Sequence, residues 1–455
     1  MIELTAEDVL QYSQAGPRYT SYPSFPVWKS NFSVHHFEQA LEGREPGGAL
    51  SLYVHIPFCE KLCHFCACNR VIDPKHSLED AYLEALKKEV QLLADRLNPP
   101  QKVLQFHWGG GTPTFLSADK IARVFEKFIQ HFSMETGAEI SMEVNPVVTT
   151  REHLQALARL GFNRISMGVQ DFDPLVQDKI NRHQSFEITK SLVEDARDLG
   201  FGSINLDLIY GLPRQNLKSF SETIEKVLQL KPERLAVYSF AKVPWKQPFQ
   251  RRFKDDELLE GLDKIALYRE ARKLLISAGY AAIGMDHFAL PQDELFEAQA
   301  KKKLHRNFMG YTTKGNLDLV GFGSSAISSV GNVYTQNVKT LPTYASELAS
   351  GRLPIEVGHS LSLEDQIRRR VILELMCQME VDFSKVKTEF QIDFHSHFGE
   401  ELNQLRGFES EGMLKISDSS IRVIGRGQVL VRNMAMVFDQ YLSKDVSQRR
   451  FSNTI

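Results

Sequence analysis

Six short β-rich runs, each followed by a segment with helical periodicity, predict an α/β protein with a parallel sheet and helices outside it. The runs alternate with polar or glycine-rich turns at intervals of roughly 30–50 residues, the length of one β-α unit. No sequence repeat relates the units, which excludes a solenoid. A curved partial barrel of six units and an open doubly wound sheet both satisfy this pattern. Both gather function at the strand C-terminal ends.

The strands are predicted at Leu52–Ile56, Val103–His107, Glu139–Val144, Arg164–Val169, Ile204–Ile209 and Leu235–Ser239. Ser77, Ser117 and either Thr149 or Thr150 stand where helix N-caps belong, because their hydroxyls can accept from free N–H groups of the first turn. Gly161 and Gly200 stand where left-handed C-terminal residues belong. Residues 1–45 precede this region as an irregular segment. The region itself spans 46–290, with a long helix after Asp255 and a further strand at Ala281–Met285. A connecting segment, 291–359, leads to a helical domain, 360–455. That domain carries a hairpin at Met413–Ile424 followed by a helix, an order similar to a winged helix.

The 455 residues are 42% hydrophobic and 24% charged, with a net charge of -3. This is an ordinary globular composition and supplies no electrostatic reason to bind nucleic acid or an anionic membrane. There is no run of about 18 apolar residues. Met1–Asp8 lacks the basic start and apolar core of a signal peptide. Four of five cysteines fall between Cys59 and Cys68, and Cys377 stands apart. An odd, clustered set is a metal site in a reducing compartment, not a disulfide framework. A cytoplasmic monomer with neither nucleic-acid nor membrane partners is expected.

The first strand runs straight into Cys59, Cys63, Cys66 and Cys68, so the thiols sit at a strand C-terminal end. Three closely spaced thiolates suit one iron–sulfur cluster and leave one iron free for a ligand. A four-cysteine zinc site is the rival, disfavoured because Cys66 and Cys68 are too close together. Buried or redox cysteines are a third reading. The second strand ends in Trp108-Gly109-Gly110-Gly111-Thr112-Pro113, where glycines allow backbone to approach a ligand or form a plain tight turn. Glu143 ends the third strand, Gln170 follows the fourth, and Arg182 lies beyond it. Asp207 interrupts an apolar strand and must be paired.

The run Cys59-x3-Cys63-x2-Cys66 after a first β-strand resembles the signature of radical S-adenosylmethionine (SAM) enzymes, whose fold is a partial (β/α)6 barrel. The resemblance implies one [4Fe-4S] cluster held by Cys59, Cys63 and Cys66. Its open iron chelates SAM and reduces it, giving methionine and a 5′-deoxyadenosyl radical. Gly110 and Gly111 resemble the glycine motif for the SAM amino group.

A narrower resemblance covers nearly the whole chain. Gly16–Pro23, Tyr53–Cys59, Cys68-Asn69, Asp207–Pro213, Gly284–Ala289, His305–Phe308 and Gly310–Thr313 are similar to the oxygen-independent coproporphyrinogen III dehydrogenases. That family implies conversion of two propionates of coproporphyrinogen III to vinyl groups, giving protoporphyrinogen IX. An external electron donor and an unidentified acceptor take part. It also implies two SAM molecules. Tyr53, Gly110 and Glu143 match contacts to the cluster-bound one. Gly111, Thr112, Gln170, Arg182, Asp207 and Ala241 match contacts to the second. Phe65 and Ile327 match further SAM positions, and Cys68 matches an extra cysteine that does not bind the cluster. The substrate's four carboxylates call for cations, and Arg18 and Arg306, beside His305, are the candidates. The family has Gln where this chain has Met309, and often His where it has Lys242. A haem-binding chaperone and a radical SAM enzyme acting on haem are the alternatives. The Gly16–Pro23 segment and Cys68 count against the chaperone.

Overall fold

The computed structural model describes residues 4–45, 47–97, 101–442 and 451–454. The outermost parts of the first and last sequence segments lie outside the described residues.

Six strands form the heart of the molecule: β1 (Ala49–Ile56), β2 (Gln101–Gly110), β3 (Phe132–Val144), β4 (Arg164–Gln170), β5 (Ser203–Tyr210) and β6 (Arg234–Ser239). They pair in parallel and in sequence order, each to the next. A doubly wound sheet reverses its strand order at a switch point, and this one does not, so the barrel alternative holds. The barrel is open. Covered by helices, β1 is buried at six of its eight positions, which is why it reads as a near-continuous apolar run.

The sheet extends well beyond the six units. A short hairpin, β7 (Ala281–Ile283) and β8 (His287–Ala289), adds antiparallel strands beside β6. A detached hairpin follows, β9 (His305–Asn307) and β10 (Gly310–Thr312). The chain then returns to the opposite edge. There β11 (Asp318–Phe322) pairs in parallel with β1, and β12 (Ile327–Val330), β13 (Val333–Asn337) and β14 (Ile355–Ser360) complete a twelve-stranded sheet. The connecting segment 291–359 therefore carries structure that its sequence did not announce. Its strands are short and separated by polar turns, and the pairing with β1 is remote in sequence.

Most helix ends follow the expected chemistry. Ser117 accepts from the Lys120 N–H, and Thr150, not Thr149, caps its helix. Gly161 and Gly200 have φ of +89° and +86° just past helix ends. Ser77 is not a cap: its helix starts at Glu79, and the Ser77 hydroxyl donates to Asp73, which also accepts from the Leu78 N–H.

The C-terminal region joins helices to a three-stranded sheet whose central strand is Ser420–Val423. Its apolar core is continuous with Tyr19 and Tyr22 of the N-terminal segment. That segment includes helices Ala6–Tyr12 and Val34–Glu42. Arg432 fixes it by donating to the carbonyls of Gly16 and Pro17, and residues 14–16 pair with 452–454. Arg18 is thereby carried to the barrel mouth.

Candidate active site

The cysteine loop is a closed excursion from the end of β1. Phe58 and Cys59 pair with Val71 and Ile72, and the Val71 N–H donates to the Pro57 carbonyl at 2.7 Å. A helix end then pins the middle of the loop. The His64 N–H donates to the Ile180 carbonyl at 2.8 Å, and the Asn181 side chain donates to the Leu62 carbonyl at 2.8 Å. Asn181 adopts the left-handed conformation, φ +54°, and so turns the chain to bring Arg182 inward. Arg182 donates to the Gly168 carbonyl at 2.6 Å and to Asn145 at 3.3 Å, and its Nη1 lies 3.8 Å from Cys63 Sγ. Its Nε is buried without a partner.

The glycine run lies against this loop. Gly110 has φ +118°, and a Cβ on it would meet the His55 ring at 2.7 Å. A Cβ on Gly111 would meet the Pro57 carbonyl at 2.6 Å. Only glycine permits that approach. Gly111 N–H donates to the Ile56 carbonyl at 2.8 Å, and Gly110 N–H donates to Glu143 at 3.1 Å. Burial pushes the Glu143 carboxyl up, but its hydrogen bond with His107, the His107 charge and the Gly110 N–H together draw it below its usual range. Tyr53 stacks on His107 with centroids 6.0 Å apart, and its hydroxyl lies 3.1 Å from His55 Nδ1. Cys59 Sγ lies 3.4 Å from the Thr112 hydroxyl.

Many of these groups line one cavity of about 430 Å³, though Tyr53, His55 and His107 are not among its lining residues. Its lining joins Cys59, Cys63, Cys66, Cys68 and Phe65 of the loop to Gly110, Gly111, Thr112 and Glu143 and to Gln170, Arg182 and Asp207. Phe65 also joins an apolar cluster with Ile180, Leu212 and Phe240. Asp207 accepts from Asn205 at 2.8 Å and from Ser166 at 3.4 Å, which supplies the pairing its sequence position demanded. Burial nonetheless raises its carboxyl to about 6. A smaller cavity of about 140 Å³ continues into the barrel, sharing Glu143, Asp207 and Tyr238 with the first and lined by Met309.

Other predicted residues lie elsewhere. Arg18 pairs with Asp286 at 2.8 Å, with its guanidinium 5.6 Å from the Tyr238 ring centroid. Arg306 is buried, lies 4.5 Å over Tyr311, and donates to the Arg18 carbonyl at 3.4 Å. His305, which precedes it on β9, lines a cavity of about 490 Å³ with Arg370, Glu374 and Glu380 and shares another, of about 350 Å³, with Arg306. Ile327 packs beside Trp28, Phe308 and Tyr334. Ala241 follows β6 and is half-buried, outside the lining of the main cavity. Sequence reasoning overlooked His107, Asn145 and Tyr238. His107 was legible in principle, because it precedes the glycine run on the face shared with Tyr53 and Glu143.

The residues fit an iron–sulfur cluster with SAM. Among the described residues, no three His, Cys, Asp or Glu side chains converge as the ligands of a single ion would. Cys59, Cys63 and Cys66 line one cavity and suit a cluster, in which each thiolate takes a different iron. The glycine cradle supplies close backbone access beside them, and Arg182, whose Nε is buried without a partner, lines the same cavity.

Comparison with known proteins bears on the same residues. The Radical SAM superfamily model matches residues 53–227, and the HemN C-terminal domain model matches 361–430. An oxygen-independent coproporphyrinogen III oxidase from Synechocystis is 42% identical over 459 residues, covering 100% of this chain and 98% of that one. The Escherichia coli protein of the same name is 41% identical, covering 98% of this chain and 97% of its own. A solved structure of E. coli coproporphyrinogen III oxidase superposes with a TM-score of 0.92 at 40% identity, covering 97% of this chain and 100% of that one. With likeness covering 97% or more of both chains in each of these matches, and the cysteine loop inside the matched radical SAM region, this chain belongs to the oxygen-independent coproporphyrinogen III oxidase family of radical SAM enzymes.

Proposed function

We propose that the chain carries out the anaerobic oxidative decarboxylation of two propionate side chains of coproporphyrinogen III, giving protoporphyrinogen IX. One observation carries the reading: the three cysteines, the glycine run and Glu143 share a single cavity with Gln170, Arg182 and Asp207. The full-length likeness to named oxidases supports the substrate. The bound cluster and SAM would supply one-electron reduction and hydrogen abstraction, which no side chain here can perform alone.

The chain's own part is binding, orientation and exclusion of water. Cys59, Cys63 and Cys66 are assigned to the cluster. Cys68 is kept as a neighbour that does not bind iron. Tyr53, Gly110 and Glu143 are assigned to a first SAM. The Glu143 carboxylate, ionised and already accepting from Gly110, is suited to fix an ammonium or ribose hydroxyl. Gly111, Thr112, Gln170, Arg182, Asp207 and Ala241 are assigned to a second SAM, with Phe65 and Ile327 as apolar neighbours. Arg18 and Arg306 are assigned to substrate carboxylates. His305 is kept beside Arg306 as a substrate-site candidate, since the two line a common cavity of about 350 Å³.

The reading requires a reducing electron donor and a separate acceptor. It also takes the protein as a cytoplasmic monomer with no nucleic-acid partner. No helix among the described residues is long and apolar enough to cross a membrane. The test is anaerobic incubation of reconstituted protein with coproporphyrinogen III, SAM and a reductant. Protoporphyrinogen IX is the expected product. Cleaved SAM without that product, from protein with an intact cluster, would refute the substrate.

A further inference from the structure

Four cations crowd the barrel mouth beside β5 and β6. Arg18 has Asp286, but Asp286 is shared with His287 at 2.7 Å. Arg306 is buried with its Nη1 unpartnered. Arg432 is buried, and its donors go to main-chain carbonyls. The fourth cation is Lys264, in the first turn of helix Gly261–Ser277. Its ammonium donates to the Phe240 carbonyl at 2.9 Å and lies 5.9 Å from the Tyr210 ring centroid. Its stem lies against Gly211: a Cβ there, at φ +80°, would meet Lys264 Cε at 2.7 Å.

This placement is specific. Tyr210 ends β5 and Phe240 follows β6, so the ammonium stands between two strand C-terminal ends, where a barrel of this type does its chemistry. An ammonium has three donors, and the Phe240 carbonyl takes one. Burial first, and then the charge of Arg18, push Lys264 down to about 8, with exposed Glu260 opposing them. The group is therefore still mostly charged at neutral pH. Asp286 offsets only part of the like charge gathered here, and an arriving carboxylate relieves the rest.

We infer that Lys264 is a substrate-binding residue, whose ammonium receives a propionate carboxylate of the porphyrinogen beside Arg18. The inference rests on the proposed function. The carboxylate it holds is one that stays. A strong ion pair to a carboxylate about to leave as carbon dioxide would stabilise the ground state and oppose reaction. Sequence reading passed over Lys264 because a lysine in a first helical turn reads as a solvated charge.

The test uses Lys264→Met and Lys264→Arg in the holoenzyme. Binding of coproporphyrin III, a tetracarboxylate, and of its tetramethyl ester is followed by fluorescence. Turnover gives KM for coproporphyrinogen III and for SAM. Lys264→Met is expected to weaken the tetracarboxylate and raise its KM by roughly tenfold or more, the usual scale for losing one partner of a desolvated charge pair. The ester and the KM for SAM stay unchanged, and Lys264→Arg recovers most of the loss. Unchanged tetracarboxylate binding overturns the inference. So does equal weakening of ester, tetracarboxylate and SAM, since that would make Lys264 a prop for the Phe240 turn. Wild-type protein that binds the tetracarboxylate through Lys264 yet forms no protoporphyrinogen overturns the function and leaves the carboxylate site standing.

Discussion

Replacing Gly111 with alanine tests how closely the glycine run and the cysteine loop must approach. The added methyl would lie 2.6 Å from both the carbonyl carbon and the oxygen of Pro57, and 2.7 Å from the Phe58 oxygen. Relaxed contacts are near ~3.5–4.0 Å, so one side must withdraw by about 1 Å. All three atoms are main chain, and no rotamer change relieves the overlap. The Gly111 N–H bond to Ile56 lies in the same gap. Overpacking costs about 1–3 kcal/mol. A weakened hydrogen bond adds about 0.5–1.5 kcal/mol. The total, about 1.5–4.5 kcal/mol, is below the usual stability of about 5–15 kcal/mol, so the protein folds with a lower Tm. Catalysis suffers more, because a ~1 Å misplacement of positioning groups costs about 100-fold. Thermal unfolding, iron content and the rate of SAM cleavage measure the three levels. Gly137→Ala is the control: φ is +79° but the space is open, so it should cost only about 1 kcal/mol and leave cleavage unchanged. Wild-type SAM cleavage by Gly111→Ala would refute the reasoning.

Three further outcomes follow from the same geometry. Cys68→Ala should keep its iron while Cys63→Ala loses it, as read by iron analysis and electron paramagnetic resonance; equal loss would revive a four-cysteine site. Asp207→Asn should raise the Tm of ligand-free protein at pH 7–8 while lowering turnover. Because burial raises the Asp207 carboxyl to about 6, the folded state is penalised only as pH climbs from the ordinary carboxylate value through that point. The gain is therefore full above about pH 6, on the order of 3 kcal/mol, and absent below about pH 4. Met309→Gln should lower the KM for SAM by about threefold, since the adjoining Glu143, Ser166 and Asp207 offer partners to an amide that a thioether cannot use. An unchanged KM would show that position 309 does not bear on SAM binding.

Much of the barrel was legible because its signals are local. Apolar strands flanked by Ser117, Thr150, Gly161 and Gly200 announce themselves without tertiary information. The main cavity was legible for a related reason: Cys59, Gly110, Glu143, Gln170 and Asp207 all lie at or near strand C-terminal ends, and parallel pairing brings such ends together. What escaped depended on distant pairing or on side-chain direction. β11 joins β1 from more than 250 positions away, with Tyr53 opposite Gly321. His305 and Arg306 are adjacent in sequence, but Arg306 is buried while His305 is half-buried and also lines a cavity that Arg306 does not. Lys264 acquires its setting only because the chain returns past Gly211 and Phe240.

The most direct measurement follows the hydrogen. Coproporphyrinogen III deuterated at the propionate β-carbons is incubated anaerobically with SAM, a reductant and the reconstituted protein, and the 5′-deoxyadenosine is analysed by mass spectrometry. The account requires deuterium in the 5′-deoxyadenosine together with vinyl-bearing product. Unlabelled 5′-deoxyadenosine formed without any vinyl group would contradict it.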